Sequence, residues 1–243
     1  MTQGANLGST AAGAGLRARA LNTMRRWTML LGGLVVFSGG LTMMIRAELG
    51  LSPWDVLHDA IRRLTPLTFG EVVVIISLVV VGVAWRLGVR PGPATVVNSI
   101  LVGVVTDVML ATGIFAELSA GPLLPRIGVL MTGVAAIALG TATYIAADLG
   151  AGPRDGLMLG VARRYARSTG GARTAIEATV LIGGILLGGS VGLGTAIFVF
   201  AIGPAINIAF RLFGMETPRK KPSVWSRLRS PEIVGASGGG TIT

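Results

Sequence analysis

Cysteine is absent from this 243-residue chain, and histidine occurs once, at His58. The first absence excludes disulfides, iron–sulfur clusters and thiolate zinc sites. The second excludes a histidine-rich metal site and the paired histidines of a zinc protease, so no metal or other cofactor is expected. Aromatic residues are scarce at 5%, which leaves little for base stacking, and nucleic acid is not an expected partner. Charge is scarce too, at 13% of residues against about 25% in soluble domains. What the chain has in quantity is apolar: 51% hydrophobic residues and a mean hydropathy of +0.72, with 37 glycines set among them. This is the composition of a membrane protein whose surroundings are the lipid bilayer, with glycine allowing helices to approach closely. The formal net charge of +10 comes from arginines between the apolar runs and from two basic tails. Basic loops beside spans mark the cytoplasmic side of a membrane.

Residues 1–26 and 214–243 are polar, basic and rich in small residues, and are expected to be largely disordered. Between them lie two membrane segments, 27–117 and 127–213. Six apolar runs are read as transmembrane helices: Trp27–Ile45, Glu71–Trp85, Ala94–Phe115, Ile127–Ala147, Thr174–Leu187 and Thr195–Phe210. The first is too long for the core of a secretory signal and lacks a clear cleavage site. Pro53–Leu64 is too short and too charged to cross. It places Trp54, Leu57, Ile61 and Leu64 on one helical face and Asp55, His58, Asp59, Arg62 and Arg63 mostly on the other. It is either an interfacial amphipathic helix or a re-entrant half-helix, and His58 on its polar face is read as a surface histidine. A second short helix, Pro153 to about Tyr165, follows the fourth span.

These short helices belong to a repeat. Glu48-Leu49-Gly50-Leu51-Ser52-Pro53-Trp54-Asp55 returns one hundred residues later as Asp148-Leu149-Gly150-Ala151-Gly152-Pro153-Arg154-Asp155. The register holds without a gap, through Leu30/Leu130, Gly33/Gly133, Gly40/Gly140 and Ala47/Ala147 to Gly92/Gly192, Thr95/Thr195 and Gly103/Gly203. Three crossings per copy is an odd number, so the second copy enters from the opposite side and the repeat has inverted topology. The expected fold is therefore an all-α membrane protein of about six transmembrane helices in two inverted repeats, each with one short broken, re-entrant or interfacial helix. The arginine distribution puts both termini in the cytoplasm.

Leu49 through Val56, Gly150 through Asp155, Ile176-Glu177, Leu187-Gly188-Gly189 and Val191 through Thr195 together resemble the YczE-type bacterial integral membrane proteins, which are similar to the wider YitT-like group. The resemblance covers roughly residues 25–215 and leaves out the basic tails. It implies a multi-pass protein of the bacterial cytoplasmic membrane and carries no biochemical activity with it.

Ser52-Pro53-Trp54-Asp55 has the chemistry of a helix start, with Ser as N-cap, Pro in the first turn and Asp three residues on. Broken helices in inverted-repeat transporters present such free N–H groups to substrate near the midplane. Ser52, Pro53, Asp55, Gly152, Arg154 and Asp155 are the candidate substrate-binding residues, with Arg154 suited to an anionic group. Carboxylates within or beside spans are the candidates for carrying a proton or ion: Glu48, Asp107, Asp148 and Glu177. The structural alternative is that each Asp caps its own helix, that Arg154 anchors at headgroups, and that Asp107 makes an interhelical hydrogen bond. Asn98 and Asn207 read as packing contacts.

The expected function is transport or channelling of a small solute or ion, coupled to protons where a carboxylate serves. The alternative is a non-transporting membrane protein that supports or regulates a partner complex, its cationic tails binding anionic lipid or an acidic partner. A homo-oligomer is compatible with either. An enzyme is not expected: no Ser–His pair stands in a catalytic context and no metal-ligand spacing occurs.

Overall fold

The computed structural model describes residues 5–119, 121–150, 152–165 and 169–215. Among them every regular element is helical: α1 (Ala5–Ala47), α2 (Pro53–Leu64), α3 (Phe69–Arg86), α4 (Pro93–Ala111), a 3-10 turn at Ala116–Ser119, α5 (Leu123–Ala146), α6 (Pro153–Arg164), α7 (Thr169–Leu186) and α8 (Leu193–Leu212). Five are long and apolar enough to cross a membrane, namely Arg19–Ala47 of α1 and the whole of α3, α4, α5 and α8. α7 carries Arg173 and Glu177 and is not among these five.

α1 begins well before Trp27, because Ala5–Ala20 is rich in Ala, Leu and Arg, which favour helix over coil. The expected C-terminal tail lies outside the described residues from 216 onward. Helix starts follow their sequence. Thr68 and Glu71 form a capping box on α3, the Thr68 N–H donating to Glu71 Oε2 at 2.8 Å and the Glu71 N–H to Thr68 Oγ1 at 3.1 Å. α2, α4 and α6 each open on a proline, where the missing N–H costs nothing.

α1 and α5 form the central pair. A Cβ added at Gly33 would lie 2.9 Å from the Gly140 carbonyl oxygen, and one at Gly40 would lie 2.5 Å from that of Gly133. As one helix rises in number the other falls, so the two run antiparallel with backbones in contact. Their ends are tied reciprocally. Arg126, at the start of α5, donates to the carbonyls of Ala47 and Glu48, both at 2.9 Å. Arg26 donates to the carbonyl of Ala147 at 2.7 Å and to that of Asp148. Each arginine thus satisfies the orphan carbonyls that end the other helix.

Beyond those ends the chain turns sharply. Glu48 and Asp148 take positive φ of 49° and 50°, and Gly50 and Gly150 follow at 113° and 132°. Gly50 has a second reason to be glycine, since a Cβ there would stand 2.7 Å from Thr195 Oγ1. The Gly194 N–H donates to the Leu49 carbonyl at 2.6 Å, fastening the first break to the start of α8. The second break lies correspondingly against Gly92 and Thr95 at the start of α4.

The short helices cross over between the halves. α2 packs on α7 and the turn after it, where Gly184 and Gly189 admit Val56, and α6 packs on α3, where Gly156 faces Ala84. The core runs along α1 and α5 through Leu30, Leu34, Leu41, Met44, Leu130 and Val134. Large apolar side chains also cover the outside, as with Val96, Ile100, Val104 and Val108, which repeat every four residues down α4. An outward stripe of this kind suits hydrocarbon rather than water.

Candidate functional site

The two motif copies, one hundred residues apart in sequence, meet at the helix starts they create. Residues 52–55 of α2 and 152–155 of α6 together line a cavity of about 410 Å³. Apolar side chains from α1, α5 and α8 complete its walls, among them Phe37, Ile137, Phe198 and Ile202. All six candidate substrate-binding residues, Ser52, Pro53, Asp55, Gly152, Arg154 and Asp155, are in this lining.

Asp55 is the most heavily engaged group. Its N–H donates to Ser52 Oγ at 3.4 Å, completing the cap, while the Ser52 hydroxyl donates to Asp55 Oδ2. Its Oδ1 lies 3.2 Å from His58 Nδ1 and 3.5 Å from an Arg154 guanidinium nitrogen. The Arg154 guanidinium carbon also lies over the Trp54 ring, 5.0 Å from its centre, a cation–π contact. The α6 copy is less saturated. Asp155 meets the Tyr144 hydroxyl at 3.5 Å, at the outer limit of a hydrogen bond. Arg173 and Glu177, one turn apart on α7, pair at 2.9 Å and also face the cavity.

Among the four candidate coupling residues only Glu177 is brought here. Asp107, near the end of α4, caps α3: its Oδ1 accepts from the Gly70 N–H at 2.7 Å and its Oδ2 from the Thr68 hydroxyl. That is the interhelical bond, made where Gly70 and Gly103 let α3 and α4 touch. Glu48 and Asp148 sit at the outer ends of α1 and α5, both exposed, and Asp148 pairs with Arg26 at 3.1 Å. Asn98 lines the cavity and Asn207 is exposed. Arg154 lies in the cavity wall, stacked on Trp54, rather than standing free at headgroups.

His58 is buried, at 1% exposure, which corrects its reading as a surface histidine. α2 is buried on both faces as far as Ala60, Asp55 and Asp59 lying among buried Trp54, Val56 and Ala60, and it exposes Arg62, Arg63 and Leu64 at its end. Asp59 pairs with Arg62 and Arg63 at 2.7 and 2.9 Å and accepts from the Ser190 N–H at 3.1 Å. The physical reason is the solvent. In a membrane the acids and the histidine of such a helix find their partners inside the protein. Tyr144 and Trp54 were likewise not singled out by sequence, although a tyrosine hydroxyl inside a span was a usable signal.

Curated relatives match over most of their own length. An uncharacterised protein of Haemophilus influenzae is 36% identical over 191 residues, 76% of this chain and 85% of that one. The uncharacterised membrane protein YczE of Bacillus subtilis is 33% identical over 181 residues, 73% of this chain and 82% of its own. The uncharacterised protein YyaS of the same organism is 27% identical over 183 residues, 72% and 88% of the two chains. No solved structure matches. The model of a family of unknown function, DUF6198, matches residues 24–211, a range that contains both breaks and both short helices, and this multi-helix membrane protein belongs to that family.

Proposed function

We propose that the chain carries a small solute across the bacterial cytoplasmic membrane, binding it between two inverted repeats in the cavity where α2 and α6 begin. The observation that carries this reading is the convergence of both Pro-x-Asp copies, with Arg154, on one 410 Å³ cavity. The antiparallel run of α1 and α5, and the matching contacts made by residues one hundred apart, support the inverted arrangement. α7 serves as the sixth span, its Arg173–Glu177 pair turned to the cavity instead of to lipid. Both termini lie in the cytoplasm. Proton coupling falls to the cavity carboxylates Asp55, Asp155 and Glu177. The protein is a carrier and not an enzyme.

The native absence of cysteine supplies the test. Ser52→Cys and Gly152→Cys, each alone, are labelled with an impermeant thiol reagent from either side of the membrane. Reaction of either position from both faces is the expected result, since a carrier opens its site alternately. Reaction of both positions from a single face only would overturn it. It would favour the second reading, a membrane protein that supports a partner complex.

A further inference from the structure

The charges in the cavity divide into satisfied and unsatisfied groups. Arg173 and Glu177 answer one another. Asp55 is held by its own serine, by His58 and, at 3.5 Å, by Arg154. Two groups are less fully engaged, adjacent in sequence on the first turn of α6. Arg154 makes one long ion pair, to Asp55 Oδ1 at 3.5 Å, and lines the cavity with its side chain about a third exposed. Asp155 has no cation within 4.0 Å among the described residues; it accepts a backbone hydrogen bond from Gly152 and the long contact from the Tyr144 hydroxyl. A guanidinium and a carboxylate with bonding capacity to spare beside one cavity can each take a ligand group of opposite charge.

Resting on the reading of this cavity as the solute site, we infer that its ligand is a small zwitterion with an apolar body. The anionic group sits on Arg154, the cationic group on Asp155, and the body lies against Phe37, Ile137, Phe198 and Ile202. The charge balance selects this class. With all three carboxylates ionised against two guanidiniums the cavity carries one negative charge, and the positive ends of α2 and α6, about half a unit each, offset it; burial pushes the Asp155 carboxyl toward its neutral form, and a ligand's cationic group draws it back to the charged one. A lone anion would face Asp55, Asp155 and Glu177 with that balance already met. A lone cation would leave the Arg154 donors unused and would meet two helix N-termini. A zwitterion adds no net charge and completes both groups. Soluble amphipathic zwitterions and the headgroup of a zwitterionic lipid share this chemistry.

The test uses full-length protein in detergent and matched probes that differ only in charge. L-phenylalanine, 3-phenylpropionate and phenethylamine form one set; L-leucine, 4-methylpentanoate and isoamylamine form a second. Binding is read by titration calorimetry, with lysophosphatidylethanolamine and lysophosphatidylglycerol as the lipid arm. A zwitterion is expected to bind roughly ten-fold or more tightly than either single-charge analogue of its set, the scale of one lost charged hydrogen bond. Arg154→Gln should remove that advantage over the amine, and Asp155→Asn the advantage over the acid, each variant eluting as a single species. Preference for lysophosphatidylethanolamine over the glycerol lipid, without binding of the soluble zwitterions, would identify a headgroup as the zwitterion. Equal binding of an amine or an acid overturns the inference, as does binding of no probe, soluble or lipid. Wild-type selectivity alone decides it if either variant misfolds. Thiol labelling from two faces is independent of this result, so the transport reading and the ligand class fail separately.

Discussion

Gly32 and Gly33 are neighbours on α1, yet alanine at the two positions should have opposite effects. A Cβ at Gly33 would meet the Tyr144 backbone nitrogen at 2.7 Å and the Gly140 oxygen at 2.9 Å, whereas one at Gly32 would meet nothing within 4 Å. Ordinary carbon contacts begin near 3.5 Å, so α1 and α5 must separate by roughly 0.5–0.9 Å to admit the Gly33→Ala methyl group. A gap of that size forfeits about a quarter to a half of each contact's dispersion energy along the seam. Together with backbone adjustment this is expected to cost ~1–3 kcal/mol. Gly32→Ala carries only the helix-propensity term, a gain of up to about 1 kcal/mol. Unfolding of the purified protein, followed by heat or by titrated denaturing detergent, reads both. Gly40→Ala and Gly140→Ala should behave like Gly33→Ala. Combining Gly40→Ala with Gly140→Ala should cost less than the sum, because a separation made at one crossing partly serves the other. Equal stabilities for Gly32→Ala and Gly33→Ala, or strict additivity in the double variant, would refute backbone contact as the basis of the α1–α5 pair.

Arg126→Ala removes two donors from the carbonyls of Ala47 and Glu48 and is expected to destabilise by ~1–3 kcal/mol, with Lys restoring part of the loss; the same unfolding assay checks it. His58 is the only histidine, so modification by diethyl pyrocarbonate followed by mass spectrometry reads one site; it should react slowly in the folded protein and rapidly after denaturation. Asp107→Asn keeps an acceptor for the Gly70 N–H and should lower stability by under about 1 kcal/mol, whereas Asp107→Leu orphans both donors and should cost ~1–3 kcal/mol. Loss of transport in Asp107→Asn at unchanged stability would show that this carboxylate does more than cap α3.

The breaks were legible because each joins an acid, a glycine and a proline, a local signal that survives any tertiary context. Placing Ser52 and Gly152 at helix starts needed only capping rules. The facing of α2 was not legible, since its division into polar and apolar faces carries no sign for which side is wet. The burial of Asp55, His58 and Asp59 follows only once the connection between α7 and α8 supplies the Ser190 N–H and α6 supplies Arg154. In the sequence Arg26 and Arg126 are simply charges flanking apolar runs. Their role at the ends of α5 and α1 depends on the glycine register of that pair, which sequence periodicity does not give. Arg173 lies on α7 because that helix starts at Thr169, ahead of the apolar run that begins at Thr174.

The exchange of short helices between halves also sets a schedule for biogenesis. Asp59 finds the Ser190 amide 131 residues further along the chain. At ribosomal rates of 5–20 residues per second, α2 waits roughly 7–26 s between its own synthesis and that of its partner surface. Throughout that interval its acids and histidine have only the partners of their own half, Ser52, Arg62 and Arg63, and lack the Ser190 amide and Arg154. The nascent first half must be held by water, headgroups or an insertion factor until α7 is made. A ribosome that stops after α5 therefore leaves an unfinished half exposed to quality-control proteases rather than a folded domain.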